Sequence, residues 1–455
     1  MTPENKQLNQ SGIIAKFFKF DQRQTNISKE IIAGITTFVT MAYILVVNPD
    51  ILSKAIFLQN SGDLFGELVV ATAISAAFAT LIMGIYANYP FALAPGMGLN
   101  AYFAFSVVLK LGISWQVALA AVFIEGLIFI GLTTSKIRSK IVNAIPECIK
   151  QATTVGIGLF IAYIALTNTK IIVTDPATTT TLGNLNQPET LIAIAGIFIT
   201  SAFVARRMTG ALLWGILATA LLGWILGIAP WPEGIISLPQ LPIHLFGQAF
   251  IGLESIIKTN IWELITIIFV LIFVDLFGTV GTLTGLGIKA GYFNQTRELL
   301  NLNKAFMADA IGTTFGAVMG TSTVTTYIES ASGVSEGGRS GFTAVVVGIL
   351  FILSIFFIPL LSAIPNFATA PALLIVGVLM MGSVRNINWG EPAESISAFL
   401  TIIIMPLSYS IADGLAMGLI TFPLLKTFQG KFHETSLTMW ILAALFILKF
   451  IVVIN

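Results

Sequence analysis

Cysteine occurs once in the 455 residues, at Cys148, and histidine twice, at His244 and His433. A lone cysteine excludes an intrachain disulfide. Both histidines fall in candidate loops. A His/Cys metal centre or a histidine proton relay within the apolar segments is therefore not expected. Charge is scarce as well. Asp, Glu, Lys and Arg make up 10% of the chain, against about a quarter in a soluble domain. The net charge of +1 gives no basic excess, and no nucleic-acid partner is expected. The first 29 residues are polar and begin with no apolar run, so no cleavable signal peptide is expected.

What the chain has in abundance is apolar surface. Hydrophobic residues are 56% of it, and the mean hydropathy is +0.91. Apolar stretches such as Ile31–Val47, Leu68–Ile85, Val117–Leu132, Ala211–Ile228 and Phe342–Leu361 approach the ~20 residues that cross a bilayer as a helix. The fold class is all-α, polytopic and membrane-embedded. Spans are expected at 30–48, 68–86, 91–109, 116–134, 150–167, 189–205, 209–228, 262–287, 304–319, 321–335, 340–362, 370–385, 394–409 and 411–427, fourteen in all. With the N-terminus in the cytoplasm, eighteen of twenty-three Lys and Arg fall inside. Only Lys54, Lys110, Lys170 and Lys258 fall outside, as the positive-inside rule requires. Ser436–Ile454 either crosses or lies along the interface with Lys449 reaching out to the headgroups.

Fourteen spans suggest two halves of seven, divided in the loop 229–260. An odd number per half makes the repeats inverted. Glu30 opens the first span of one half and Glu263 that of the other. The third span of each half is interrupted, by "FALAPGMGLNAYFAF" from Phe91 and by "TSTVTTYIESASG" from Thr321. Pro95, Gly96 and Gly98 disfavour a continuous helix. Thr321–Thr326 is all Thr or Val except Ser322, which favours an extended chain. Each span is read as a short extended stretch followed by a half-helix, starting near Leu99–Asn100 and Tyr327–Ile328. The two strands can pair with each other. Matching interruptions in two halves point to a transporter's binding site.

The ionisable residues inside these spans are Glu125, Asp275, Asp309 and Glu329, with Asp413 at a junction. A charge in hydrocarbon costs at least ~2.5–3.5 kcal/mol, so each asks for a reason. Glu125 and Asp309 are read as structural bonds to neighbouring helices, and Asp413 as a helix cap. Asp275 and Glu329 sit beside Gly-rich or broken backbone with no Lys or Arg within a turn. They are read as functional, able to hold a proton and to accept hydrogen bonds when ionised. Asn100 offers a donor and an acceptor at the opposite break. Tyr102, Phe103, Phe277 and Tyr327 supply ring faces nearby. A small, flat ligand rich in N–H donors suits this set. Carboxylates argue against an anion, and an amino acid remains open on this logic. A channel needs charge rings or carbonyl filters, and an enzyme needs a nucleophile–base pair or a metal. Neither pattern is visible.

Four stretches, "EIIAGITTFVTMAYILVVNP", "FALAPGMGLNAYFAF", "FVDLFGTVGTLTG" and "GTSTVTTYIESASGVSEGGRSG", resemble the azaguanine/hypoxanthine-type purine permeases. These are a branch of the nucleobase:cation symporter-2 group. The resemblance runs in order across almost the whole chain. It implies a 7+7 inverted repeat, with a core domain (30–134 and 262–362) moving against a gate domain (135–228 and 363–455). Residues 1–29 would be cytoplasmic and 229–261 an extracytoplasmic loop. It implies import of adenine, guanine or hypoxanthine with protons across the inner membrane, by a homodimer without cofactor. Xanthine or uracil transport, or uncoupled facilitation, remain the alternatives. By motif position the substrate contacts fall on Gly98, Asn100, Asp275 and Glu329; Phe277, Thr326 and Tyr327, their neighbours, complete the expected contacts, and proton coupling is expected at Asp275 and Glu329. One departure stands out: the second acid of the branch's D-L-F-D motif is replaced here by Gly278.

Overall fold

Helix ends along the chain are fixed by local chemistry. Asn26 caps helix Ile27–Met41 by accepting from the Lys29 N–H at 2.9 Å. Asn260 does the same for helix Ile261–Ala290 through the Trp262 N–H, and Gly291 ends that helix in the left-handed region. Such side chains satisfy donors that a helix leaves unpaired. Helix Ile261–Ala290 has 30 residues, about 45 Å at 1.5 Å per residue, enough to cross a bilayer with tilt. The computed structural model describes residues 12–56, 64–135, 145–239, 241–256, 259–292 and 301–453. Lys258, Arg297, the basic stretch 136–140 and the side chain of Lys449, all used in the charge and interface readings, lie outside the described residues.

Twelve of the predicted spans fall on helix, while 91–109 and 321–335 each begin with a strand, and the second of these carries only the six-residue helix Ser330–Ser335. Among the described residues, nine helices are long and apolar enough to cross a membrane, from Ile27–Ser53 to Ile411–Phe428. Met97–Lys110, Ala211–Ile225, Pro392–Ser408 and Leu437–Leu448 are apolar but shorter. The last belongs to helix Leu437–Val453, which buries Met439, Ala443 and Phe446 on one face. Phe446 meets Phe269 of the long helix at 5.5 Å between centroids.

The helices pack in two groups. Helix Trp115–Thr134 lies against Leu302–Met319, and Gly341–Ser354 lies against both Ile27–Met41 and Leu64–Ile82. Separately, Glu147–Asn168 lies against Asn366–Met380 and Pro392–Ser408, and Pro188–Ala205 against Ala211–Ile225. Buried Glu30 pins the first group at one end. It accepts from the backbone N–H groups of Arg339, Ser340 and Thr343 at 2.9–3.2 Å and from the hydroxyls of Thr25 and Thr343. Glu263, its counterpart by position, is only half-buried.

Among the described residues, four short strands accompany the helices. β1 (Leu93–Pro95) pairs antiparallel with β4 (Val324–Thr326), in the register Leu93↔Thr326, Ala94↔Thr325, Pro95↔Val324. β2 (Ile172–Asp175) and β3 (Thr179–Leu182) form an exposed hairpin between the fifth and sixth predicted spans. The sequence reading did not anticipate the hairpin.

Candidate functional site

The β1–β4 ribbon is buried, so its backbone polar groups need partners. Across the ribbon Gly96 N–H donates to Thr323 O at 2.9 Å, and Tyr327 N–H to Ala92 O at 3.0 Å. Hydroxyls complete the outer edges. The Thr80 hydroxyl donates to Leu93 O and accepts from Leu93 N–H, both at 2.9 Å. Thr313 donates to Val324 O at 2.9 Å, and Ser330 accepts from Ala92 N–H at 3.0 Å. Three neighbouring helices thus close an edge that water cannot reach.

The half-helices leave the ribbon at opposite ends. One starts at Met97, two residues earlier than the sequence suggested, and the other at Ser330, two to three residues later. The first continues as the wide-turn helix Tyr102–Lys110. Asn100 is buried in it. Its carbonyl oxygen accepts from the Ser322 hydroxyl, while its amide nitrogen has no partner among the described residues. After β4, the Tyr327 hydroxyl donates to Pro95 O at 2.5 Å, tying the two breaks together. Glu329 lies in the next turn and accepts from the Tyr43 hydroxyl at 2.7 Å. It is half-buried, and adjacent Ile328 is 54% exposed.

Behind β4 the remaining acids gather. Asp275 and Asp309 are buried. The Thr279 hydroxyl lies 3.3 Å from Asp275 Oδ1, 3.0 Å from Asp309 Oδ2 and 2.9 Å from the Thr325 hydroxyl. The Thr326 hydroxyl donates to Asp309 Oδ1 at 3.2 Å. Buried Glu125 accepts from the Thr323 hydroxyl at 2.7 Å through Oε2. Asp309 bonds to Thr279 on a neighbouring helix, whereas Glu125, expected to bond a neighbouring helix, bonds Thr323 in the extended stretch before β4. Both contact the β4 segment on which the site is built. Among the described residues no three His, Cys, Asp or Glu side chains are arranged as metal ligands.

Two predicted residues face elsewhere. Gly98 points at helix Glu147–Asn168, where a Cβ would come within 2.6 Å of Ile157 Cγ2. Phe277 packs on Phe273 at 4.5 Å between centroids, and Lys150 Nζ lies 5.3 Å from its ring centre. Asp413 is not the cap residue. Ser410 caps helix Ile411–Phe428 by accepting from Asp413 N–H at 3.2 Å, and the Asp413 carboxylate pairs with Lys110 Nζ at 3.0 Å. Sequence reasoning missed Tyr43, Thr279 and Ser322. It also passed over Glu67, which receives the backbone N–H of His244 at 3.1 Å and lies 2.5 Å from its ring nitrogen. Tyr and Thr hydroxyls carry no charge signal in an apolar segment. Glu67 stands just outside the expected limits of its span.

Matching breaks in a multi-pass helical body, with carboxylates and an unpaired amide around a buried two-strand ribbon, are the kind of place where transporters bind their ligands. The fold agrees. The transmembrane domain of the cyanobacterial bicarbonate transporter BicA superposes with a TM-score of 0.58 at 16% identity, covering 86% of this chain and 97% of that one. Residues 28–417 match the family model Xan_ur_permease, described as "Permease family", and the chain belongs to that family. The guanine/hypoxanthine permease PbuG of Bacillus subtilis is 45% identical over 96% of this chain and 99% of its own. The adenine permease AdeP of Escherichia coli is 40% identical over 98% and 97%.

Proposed function

We propose that the protein imports a purine nucleobase (adenine, guanine or hypoxanthine) together with a proton across the inner membrane. Relatives named for these purines are similar over nearly their full length. The observation that carries the reading is the pairing of a buried, unpartnered Asn100 amide with a half-buried Glu329 at the two ends of one ribbon. A purine edge presents ring N–H donors and lone-pair acceptors. A carboxylate takes the former and an amide N–H meets the latter. Glu329 accepts from the purine, Asn100 donates to it, and Thr326 and Tyr327 shape the floor. Asp275 shares in binding and, with Glu329, exchanges the proton. Phe277 and Gly98 border the site on the side of helix Glu147–Asn168.

In this reading fourteen spans form a 7+7 inverted repeat with a cytoplasmic N-terminus, and the chain works as a homodimer. The two packing groups correspond to a core (30–134, 262–362) that carries the ribbon and a gate (135–228, 363–455) against which it slides. Elevator-like movement of the core delivers the ligand, and no cofactor takes part.

The test is uptake into proteoliposomes under an imposed pH gradient. Adenine, guanine, hypoxanthine, xanthine and uracil compete in turn, and counterflow is measured without the gradient. Purine accumulation that collapses with the gradient is expected. Saturable counterflow without any gradient effect would mean a facilitator. Competition by xanthine or uracil alone would reassign the substrate.

A further inference from the structure

The β2–β3 hairpin does not stand free of the helical body. Between it and the ends of helices Glu147–Asn168 and Pro392–Ser408 lies a cavity of about 310 Å³, at the small end of the ~300–1,000 Å³ of small-ligand pockets. Tyr163, Thr167 and Tyr409 line it from the helices, and Thr174 and Thr180 from the hairpin. The two hairpin threonines are directly opposed across β2 and β3, so their side chains share one face. None of the described residues that line the cavity is charged. With the N-terminus in the cytoplasm, as proposed, the cavity lies on the extracytoplasmic side.

Tyr409 has the least ordinary geometry of the group. It ends helix Pro392–Ser408 in the left-handed region, at φ 52°, where a bulky side chain is uncommon and glycine is at ease. Its ring meets Tyr163 at 5.4 Å and Phe160 at 5.8 Å between centroids, both edge to face. Its hydroxyl lies 3.0 Å from the Thr167 hydroxyl. Thr167 also reaches the carbonyl oxygens of Tyr163 and Ile164, at 3.1 and 3.0 Å. The single Thr167 proton goes to its own helix. Tyr409 therefore donates to Thr167, and its oxygen keeps lone pairs for another donor. On the backbone side, Tyr409 O accepts from the Ser106 hydroxyl at 3.1 Å, on the helix that continues from Asn100. One residue thus faces the cavity with its side chain and holds the broken third span with its carbonyl.

We propose that this cavity is a second, extracytoplasmic binding site for a neutral purine base, which it captures before the base reaches the ribbon. This deepens the purine reading above and rests on it. The uncharged lining favours a neutral base over a nucleotide or an organic anion, since no cation there offsets a negative charge. A flat ring packs against the two tyrosines. A ring N–H donates to the Tyr409 oxygen, and the hydroxyls of Thr174 and Thr180 meet the polar edge in either direction. The cavity belongs to the gate half of the proposed arrangement, whereas Asn100 and Glu329 belong to the core. The Ser106 bond to Tyr409 joins the two.

Photolabelling of the full chain in nanodiscs with 8-azidoadenine, followed by peptide mapping, tests the site without a transport assay. Two labelled regions are expected, each displaced by excess adenine: the ribbon around Asn100 and Glu329, and the segments that carry Tyr163 and Tyr409. Thr180→Trp fills the cavity from an exposed position of the hairpin. It should abolish the second label and spare the first, which also shows that the variant is folded. Tyr409→Phe keeps the ring and removes the oxygen, and should weaken the second label about two- to tenfold, the worth of one neutral hydrogen bond. In uptake, Thr180→Trp should raise KM about two- to tenfold with kcat unchanged, as expected when a capture step is lost and the central contacts stay intact. Label confined to the ribbon overturns the proposal. So does label at Tyr163 and Tyr409 that adenine does not displace or that neither variant alters. Displaceable label at the cavity alone would uphold this site and count against the ribbon as the purine site. Label in neither region would overturn both.

Discussion

A carboxylate held by a single tyrosine hydroxyl keeps acceptor capacity free for something else. Glu329 is in that position, with Tyr43 on Oε1 and exposed Ile328 next to it. Glu329→Gln exchanges an acceptor for a donor at one oxygen. Purine affinity should fall about ten- to hundredfold, the worth of one charge-assisted hydrogen bond. Tyr43→Phe leaves the carboxylate in place and should cost only about two- to tenfold. Equilibrium binding to both variants checks the order, and equal losses would mean that Glu329 acts structurally. Gly98 is a different kind of residue, defined by what it leaves out. With Ile157 Cγ2 at 2.6 Å from a built Cβ, Gly98→Ala should slow uptake, and pairing it with Ile157→Ala should recover part of the rate. Asn100 and Glu329 were legible in the sequence because polar atoms in an apolar run need a reason. Thr279 was not, since a threonine inside a helix can satisfy itself on its own backbone and leaves no trace of a partner elsewhere.

The broken third and tenth spans are the elements on which the site depends. Their interruptions could be read from Pro95, Gly96 and the Thr/Val run, since those residues disfavour helix whatever surrounds them. The hydroxyls that satisfy the ribbon's edges lie far off in sequence and could not be paired in advance. Thr80 is the clearest case, serving both polar groups of Leu93. Thr80→Val keeps the shape and strands two buried groups, at about 1–3 kcal/mol each. A lower melting temperature is expected, with Thr80→Ser close to wild type; an unchanged Thr80→Val would mean that the edge finds other partners. The β2–β3 hairpin went unread although Ile172–Thr174 and Thr179–Thr181 are β-branched runs around Asp175 and Pro176. Within a chain dominated by apolar spans, that pattern is easily passed over as loop. Its turn is held by Asp175, whose carboxylate accepts from the N–H groups of Thr178 and Ala177. These bonds keep the carboxyl below the usual Asp value. A depressed value means that the turn is stabilised above the ordinary Asp value of about 3.9 and loosens as pH falls through the lower folded value. Amide shifts of Ala177 and Thr178 should titrate with a midpoint under that ordinary value, and a midpoint at or above it would remove the turn's electrostatic explanation.

At the scale of the whole molecule the two packing groups are bridged at one end. Lys110 donates to Ser408 O at 2.6 Å and pairs with Asp413, Ser106 donates to Tyr409 O at 3.1 Å, and Thr369 donates to Asp50 Oδ2 at 2.7 Å. Asp50 stands at the far end of Ile27–Ser53 from Glu30, so these bridges close the face opposite the Glu30 cap. With the N-terminus in the cytoplasm, as proposed, Lys110 lies on the extracytoplasmic side and these bridges close that side. Spacing and hydropathy announce spans but not which ones touch, because any apolar face can pack on any other. The bridges were therefore beyond reach of the sequence even though Lys110 and Asp413 were both visible as charges. If core and gate separate here during transport, Lys110→Glu, which sets two acids against each other, should favour the outward-open form. The pair is partly exposed, with side chains 38% and 25% accessible, so its worth is about 0.2–1 kcal/mol, or up to about fivefold in population. In a variant whose native Cys148 is replaced, a reporter cysteine at Thr167, beside Tyr409, should react up to several times faster with a membrane-impermeant maleimide when Lys110→Glu is added. The double change Lys110→Asp with Asp413→Lys should return the rate towards its starting value. Labelling that ignores both changes would mean that this end of the molecule does not open by parting Lys110 from Asp413.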